Sequence, residues 1–160
     1  MLNINLICIG RLKEKYYEDA QREFLKRLGP YCRLSVTEIQ EARLPENPSK
    51  AGLDAALSLE AAIISEHCAK NGAMIAMCIE GDVLDSTAFA AMLQDFAVSG
   101  ASKIDFVVGG SFGLADSIKS RAARKLSMSR MTFPHNLARV MLLEQIYRAF
   151  KIAEGGKYHK

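Results

Sequence analysis

Ser111 sits inside Gly109-Gly110-Ser111-Phe112-Gly113, the G-x-S-x-G spacing that holds a nucleophilic serine on a sharp turn. Asp116 and His135 follow in the order a hydrolase triad would use. An apolar β-branched run, "IDFVV", leads into these glycines, which leaves three chemistries open. The turn could cradle a phosphate, present a serine, or let the main chain lie directly against a small ligand. A phosphate cradle needs Lys followed by Ser or Thr after the glycines, where this chain has Phe112, Leu114 and Asp116. GGSFG also lacks the GxGxxG spacing of dinucleotide binders, and it follows the fourth predicted strand rather than opening the fold.

The serine reading meets a geometric obstacle. A nucleophile elbow hands its serine straight into a helix, whereas Gly113-Leu114-Ala115-Asp116 reads as loop up to a cap. The acid, moreover, lies on the same turn as the serine instead of on a later strand. Close backbone approach fits better, although a tight turn with no ligand satisfies the same residues. With "LSMSRMTF" (126–133) and Met77 the turn would form an apolar, neutral wall. Such a wall suits a ligand held by main-chain hydrogen bonds, such as an adenine carrying a thioether.

Other reactive types are dispersed. Cys8, Cys32, Cys68 and Cys78 form no CxxC pair and accompany no histidine cluster, so they read as buried thiols of a reducing compartment and not as metal ligands. The net charge of +3 hides an asymmetry: residues 117–160 hold ten Lys or Arg against Glu144 and Glu154, a surplus of +8, while residues 1–116 carry −5. A polyanion approaching the C-terminal quarter would explain this, through Lys119, Arg121, Arg124, Lys125, Arg130, Lys157 and Lys160. Solvation of helix faces is the alternative. No apolar run approaches the length of a membrane helix, and "MLNINLICIG" lacks the basic flank and cleavage site of a signal peptide. A cytoplasmic protein is expected.

The elements that must position these groups alternate. Strands are predicted at 4–9, 33–39, 73–79, 103–108 and 125–129. Helical periodicity runs from Tyr17 to Leu28 before Gly29-Pro30, and from Leu53 through Ile64 towards Asn71-Gly72. Ser86 is a candidate cap for a helix ending at Gly100, Asp116 for a short basic helix, and Pro134 opens a last helix that ends at Gly155-Gly156. Strict alternation over 160 residues predicts one α/β domain with a mostly parallel sheet and helices on both faces. Ligands then bind at the carboxyl ends of strands, where the glycines fall. The last helix is apolar around most of its circumference, from Leu137 and Val140 to Leu143, Ile146 and Phe150. It needs two covers, its own sheet and a second surface, and a second copy of the chain would supply the latter.

"FVVGGSFGL", followed by "LSMSRMTFPHNLARVMLLEQIYRAFKI" and the terminal "YHK", resembles the RlmH (YbeA-type) ribosomal RNA methyltransferases of the SPOUT superfamily, and the likeness extends over essentially the whole chain. The resemblance implies a C-terminal trefoil knot, a homodimer, and S-adenosyl-L-methionine bound in the knot. It also implies methylation of N3 of a pseudouridine in 23S ribosomal RNA, on the assembled ribosome, with no metal. Position by position, it places donor contacts on Met77, Gly109, Met128, Ser129, Arg130, Met131, Thr132 and Phe133. Cys78 and Asp82 depart from the family pattern, which commonly has an acid and a base there.

Methyl transfer of this kind requires orientation above all, with the nucleophilic nitrogen held about 3–3.5 Å from the methyl carbon. An N3 imide carries a proton, so a base or an anion-stabilising cation should assist. His135, Arg139, Glu144 and His159 are the candidates. The expected assignment gives Tyr158 and His159, on a basic tail beyond a Gly-Gly hinge, the acceptor base to position, and gives Arg139 the charge developing on its carbonyl. His135 could instead only tie the helix start, and Glu144 only pair with Arg148 four residues on. A non-catalytic RNA-binding module and a serine hydrolase using Ser111 remain the competing classes.

Overall fold

Alternation along the strands sets the layers. In β1 (Leu2–Ile9), Ile4, Leu6 and Cys8 join one buried cluster while Ile7 and Ile9 join another. β3 (Ala73–Val83) divides likewise, Ile75 from Met74 and Ala76, and β4 (Lys103–Val108) separates Phe106 from Val107. A strand apolar on both faces must be covered on both. One cover is built by α1 (Lys15–Leu28), α3 (Ser86–Val98) and α5 (His135–Ala153), the other by α2 (Lys50–His67) and α4 (Asp116–Arg121). The computed structural model describes residues 1–159.

With β2 (Cys32–Ile39) and β5 (Arg124–Ser127), the five strands form a sheet in the order β2-β1-β4-β3-β5, every pairing parallel. The expected α/β class and two-sided helical cover are therefore present. Each strand overlaps its predicted run: β1 and β2 begin earlier, at Leu2 and Cys32, β3 continues to Val83, and β5 starts at Arg124 and stops at Ser127. The extension of β3 has a specific form. Residues 78–81 leave the ladder and return, so that Met77 and Asp82 both pair with Leu126 of β5. Gly81 makes this possible, because a Cβ there would lie 2.5 Å from the Leu126 carbonyl carbon.

Caps differ from expectation by one residue. Asp85, not Ser86, caps α3, its carboxylate accepting from the Ala88 N–H at 2.7 Å. Asp116 is the first residue of α4 and Pro134 precedes α5, neither start carrying a side-chain cap. The apolar α5 gets much of its cover from its own chain: it lies between α1 and α3, which bury Leu142, Leu143, Ile146 and Ala149. Leu137, Val140 and Met141 stay half-buried, a narrower stripe than the sequence suggested.

Candidate functional site

At the carboxyl ends of β4 and β3, three segments surround a cavity of about 830 Å³. The first is the glycine turn. Gly113 has φ +79, its N–H donates to the Gly110 carbonyl at 3.1 Å, and a Cβ on Gly109 would lie 2.6 Å from the Gly113 carbonyl carbon. The turn is thus closed on itself, with bare main chain facing the hollow. The second is the looped-out segment of β3, which brings Met77, Cys78 and Glu80 to the wall. The third is the run after β5. There the Ser127 hydroxyl donates to the Ser129 carbonyl at 2.9 Å, and the Ser129 hydroxyl accepts from the Met131 N–H at 3.0 Å. These two bonds hold an irregular stretch rigid.

Of the residues expected to contact a donor, Met77, Gly109, Met128, Ser129, Met131, Thr132 and Phe133 line this one cavity. Arg130 does not; it is exposed. His135 also lines it, at the start of α5. Two further wall residues carry no signal in sequence, because their pairing spans 39 positions: Lys119 of α4 holds Glu80 at 2.6 Å. Each charge favours the other, so the Glu80 carboxyl sits below its ordinary range and the Lys119 ammonium above its own. Cys78 lies on the same wall, yet burial, ahead of the nearby Glu80 charge, pushes its thiol up and away from nucleophilic use.

The hydrolase constellation does not assemble. Ser111 is exposed, and its main-chain N–H donates to Glu41 Oε1 at 3.0 Å. Among the described residues, no hydrogen bond joins its hydroxyl to His135 or to an acid. All four cysteines are free thiols, and the described residues contain no cluster of metal-ligating side chains.

Arg139 occupies a different place from the one expected. It is 1% exposed, and its guanidinium donates to Glu38 Oε1 at 2.6 Å and to the Gly10 carbonyl at 2.9 Å. With both arms engaged, it ties the first turns of α5 to the carboxyl ends of β1 and β2 and does not line the cavity. The tail also folds elsewhere. Tyr158 packs on α5, its hydroxyl donating to Glu144 Oε1 at 3.1 Å and its ring lying 4.7 Å from the Arg148 guanidinium. Burial, then the Glu144 charge, pushes its phenol up. His159 is exposed, and neither tail residue lines the cavity. Glu144 is paired with Arg148, as the simpler reading held.

Of the basic patch, Lys119 pairs with Glu80, Arg124 lies 3.7 Å from Asp82 and Arg121 donates to Ser65 at 2.9 Å. Lys125, Arg130 and Lys157 are exposed, and Lys160 lies outside the described residues. No helix of the described chain is long and apolar enough to cross a membrane.

Comparison with known proteins bears on this arrangement. Residues 2–159 match the family model described as predicted SPOUT methyltransferases. The ribosomal RNA large subunit methyltransferase H of Clostridium acetobutylicum is 46% identical, covering 99% of this chain and 100% of its own. The protein of the same name from Oenococcus oeni is 42% identical, with both chains covered in full. Among solved structures, a probable methylase family protein from Haemophilus influenzae superposes with a TM-score of 0.54 at 15% identity, over 99% of this chain and 71% of that one. At that identity the likeness concerns the fold alone.

Proposed function

This chain belongs to the SPOUT methyltransferase family, and from that premise we propose that it transfers a methyl group from S-adenosyl-L-methionine to N3 of a pseudouridine in 23S ribosomal RNA, on the assembled ribosome. The observation that carries the reading is the convergence of the glycine turn, the looped-out part of β3 and the run 127–133 on one cavity. The names of the full-length relatives support the ribosomal RNA substrate. As further parts of the proposal, the protein works as a cytoplasmic homodimer of one domain per chain. The C-terminal part of the chain forms the implied trefoil knot.

The lining suits the donor. Met77, Val108 and Phe133 offer apolar surface for an adenine, and the turn 109–113 offers main chain that no Cβ obstructs. Glu80, held ionised by Lys119, is an acceptor for hydroxyl or ammonium groups. Bound there, S-adenosyl-L-methionine supplies an electrophilic methyl on a sulfonium. The chain's own residues orient and shelter it. Ser129 fixes the shape of the run that carries Met131, Thr132 and Phe133, and Leu114 and Val108 exclude water from below. Arg139 acts through position: its buried pair with Glu38 fixes the start of α5, and thereby His135, against the cavity. His135, which lines the cavity at the start of α5, is the proposed acceptor of the N3 proton. Tyr158 and His159 would order the acceptor from the far side of α5.

Titration with S-adenosyl-L-methionine followed by primer extension on ribosomal RNA tests the reading. Saturable uptake, together with a stop at one nucleotide that appears only when protein and donor are both added, is expected. Uptake without modification would leave a non-catalytic RNA-binding module, and no uptake would end the proposal.

A further inference from the structure

A second cavity, of about 450 Å³, opens on the other side of β5 and shares Met77, Ser127 and Met128 with the first as a common wall. Its remaining surface is contributed chiefly by the start of α3 and the middle of α5, with Phe89 and Met141 as apolar sides. Its polar groups are linked in one chain. Ser86 Oγ donates to Gln145 Oε1 at 2.7 Å, and Gln145 Nε2 donates to Glu144 Oε2 at 2.7 Å. Glu144 Oε1 accepts from Arg148 Nε at 3.0 Å and from the Tyr158 hydroxyl at 3.1 Å. Three side chains, Gln145 and Arg148 of α5 and Tyr158 of the tail, thus hold the Glu144 carboxylate and make it an anchor. The anchor fixes the plane of the Gln145 amide at its nitrogen, and Ser86 fixes it at its oxygen. A primary amide has two N–H donors and two acceptor positions, so one of each remains for a ligand.

We propose that this cavity receives the target base and that the Gln145 amide reads the N1–H/C2=O edge of pseudouridine. The inference rests on the function proposed above. The amide carbonyl accepts from N1–H and the free amide N–H donates to the C2 carbonyl, leaving N3 towards the wall shared with the donor cavity. Uridine placed the same way presents C5–H and the C4 carbonyl, and so lacks the donor. The site favours the ligand that can donate there, because uridine sets a C–H against the amide oxygen and leaves the acceptor position not used by Ser86 unanswered. Gln145 is thus assigned as a specificity-determining residue, with Ser86 and Glu144 as residues positioning it.

The test compares ribosomes whose target position carries pseudouridine with ribosomes carrying uridine there, using the full-length protein. Wild type is measured first; failure to modify either would refute the proposed function and this inference with it. Given wild-type activity, Gln145→Met should lower kcat/KM on the pseudouridine substrate by about 30-fold and on the uridine substrate by clearly less, because only the carbonyl contact is lost there, and leave the Kd for S-adenosyl-L-methionine unchanged. Ser86→Ala, which only frees the amide to rotate, should show the same selectivity at roughly 3-fold. It decides the matter alone if Gln145→Met does not fold. An equal fall on both substrates, no fall on either, or a weakened donor Kd would overturn the assignment, the last by giving the cavity to the donor.

Discussion

The two ends of the sheet treat polar groups in opposite ways. At the amino end of the sheet, Asn5 Oδ1 accepts from the Ser35 and Thr37 hydroxyls at 3.2 and 3.0 Å, and Asp105, 3% exposed, accepts from the Ala69 N–H at 2.8 Å. A hollow of about 430 Å³ exists there too, but Asn5 and Asp105 on its wall are already hydrogen-bonded within the fold. At the carboxyl end, the glycine turn and the run 127–133 present main chain and methionine side chains to open space, with the Glu80–Lys119 pair in the wall and the Arg139–Glu38 pair behind it. The contrast teaches that size alone does not mark a binding cavity. Polar groups satisfied within the fold contribute to stability, while donors and acceptors left facing a hollow are available to a ligand.

Four substitutions probe that contrast. Gly81→Ala should do most damage at the carboxyl end, because a Cβ 2.5 Å from the Leu126 main chain forces β5 away from β3. A stability loss of about 3 kcal/mol and a fall in donor affinity of about 100-fold or more are expected by denaturation and titration. An unchanged Kd would mean that the close packing of β3 on β5 does not shape the cavity. At the other end, Asp105→Ala should cost about 1–3 kcal/mol by leaving the Ala69 N–H unanswered, with donor Kd unmoved. Any loss of donor affinity there would dissolve the division.

Lys119→Met tests the wall charge with a smaller effect, a few-fold weaker donor binding near neutral pH. The pair also imposes a pH dependence. Glu80 has a lowered pKa in the folded chain, so its contribution is present above its ordinary value near 4.5 and is lost as pH falls through the lower folded value. Lys119 is raised, so its contribution holds up to its ordinary value near 10.5 and is lost as pH rises beyond that. The stability gap between wild type and variant, about 0.2–1 kcal/mol for a partly exposed pair, should therefore close below pH 4.5 and above pH 10.5. A gap constant across both limits would deny the pair its role. Ser111→Ala should change methylation less than about 2-fold, since its side chain joins no relay. A large loss would revive the hydrolase reading.

Much of this was legible in the residues. The period-2 strands and the 3.6-residue helices report their own faces, so "INLICI" and "KIDFVV" could be placed in a two-sided sheet without coordinates. The glycine turn was equally plain, because only glycine permits a φ of +79 followed by chain against chain. The Glu80–Lys119 pair was invisible, since nothing local links residues so far apart in sequence. The Ser86–Gln145–Glu144 chain was hidden for the same reason. The partners of Arg139 were hidden too, since only packing against β1 and β2 brings Glu38 and the Gly10 carbonyl to it.

By itself, then, the order of residues determined the α/β class, the parallel alternation and the segments that bend sharply, which follow from local sterics and periodic burial, and its motifs carried the likeness to one family. Tertiary structure decided which charges neutralise each other, that the tail rests on α5, and that two cavities share one wall. Those outcomes depend on distances between residues remote in the chain, and a linear pattern carries no record of such distances until the sheet closes.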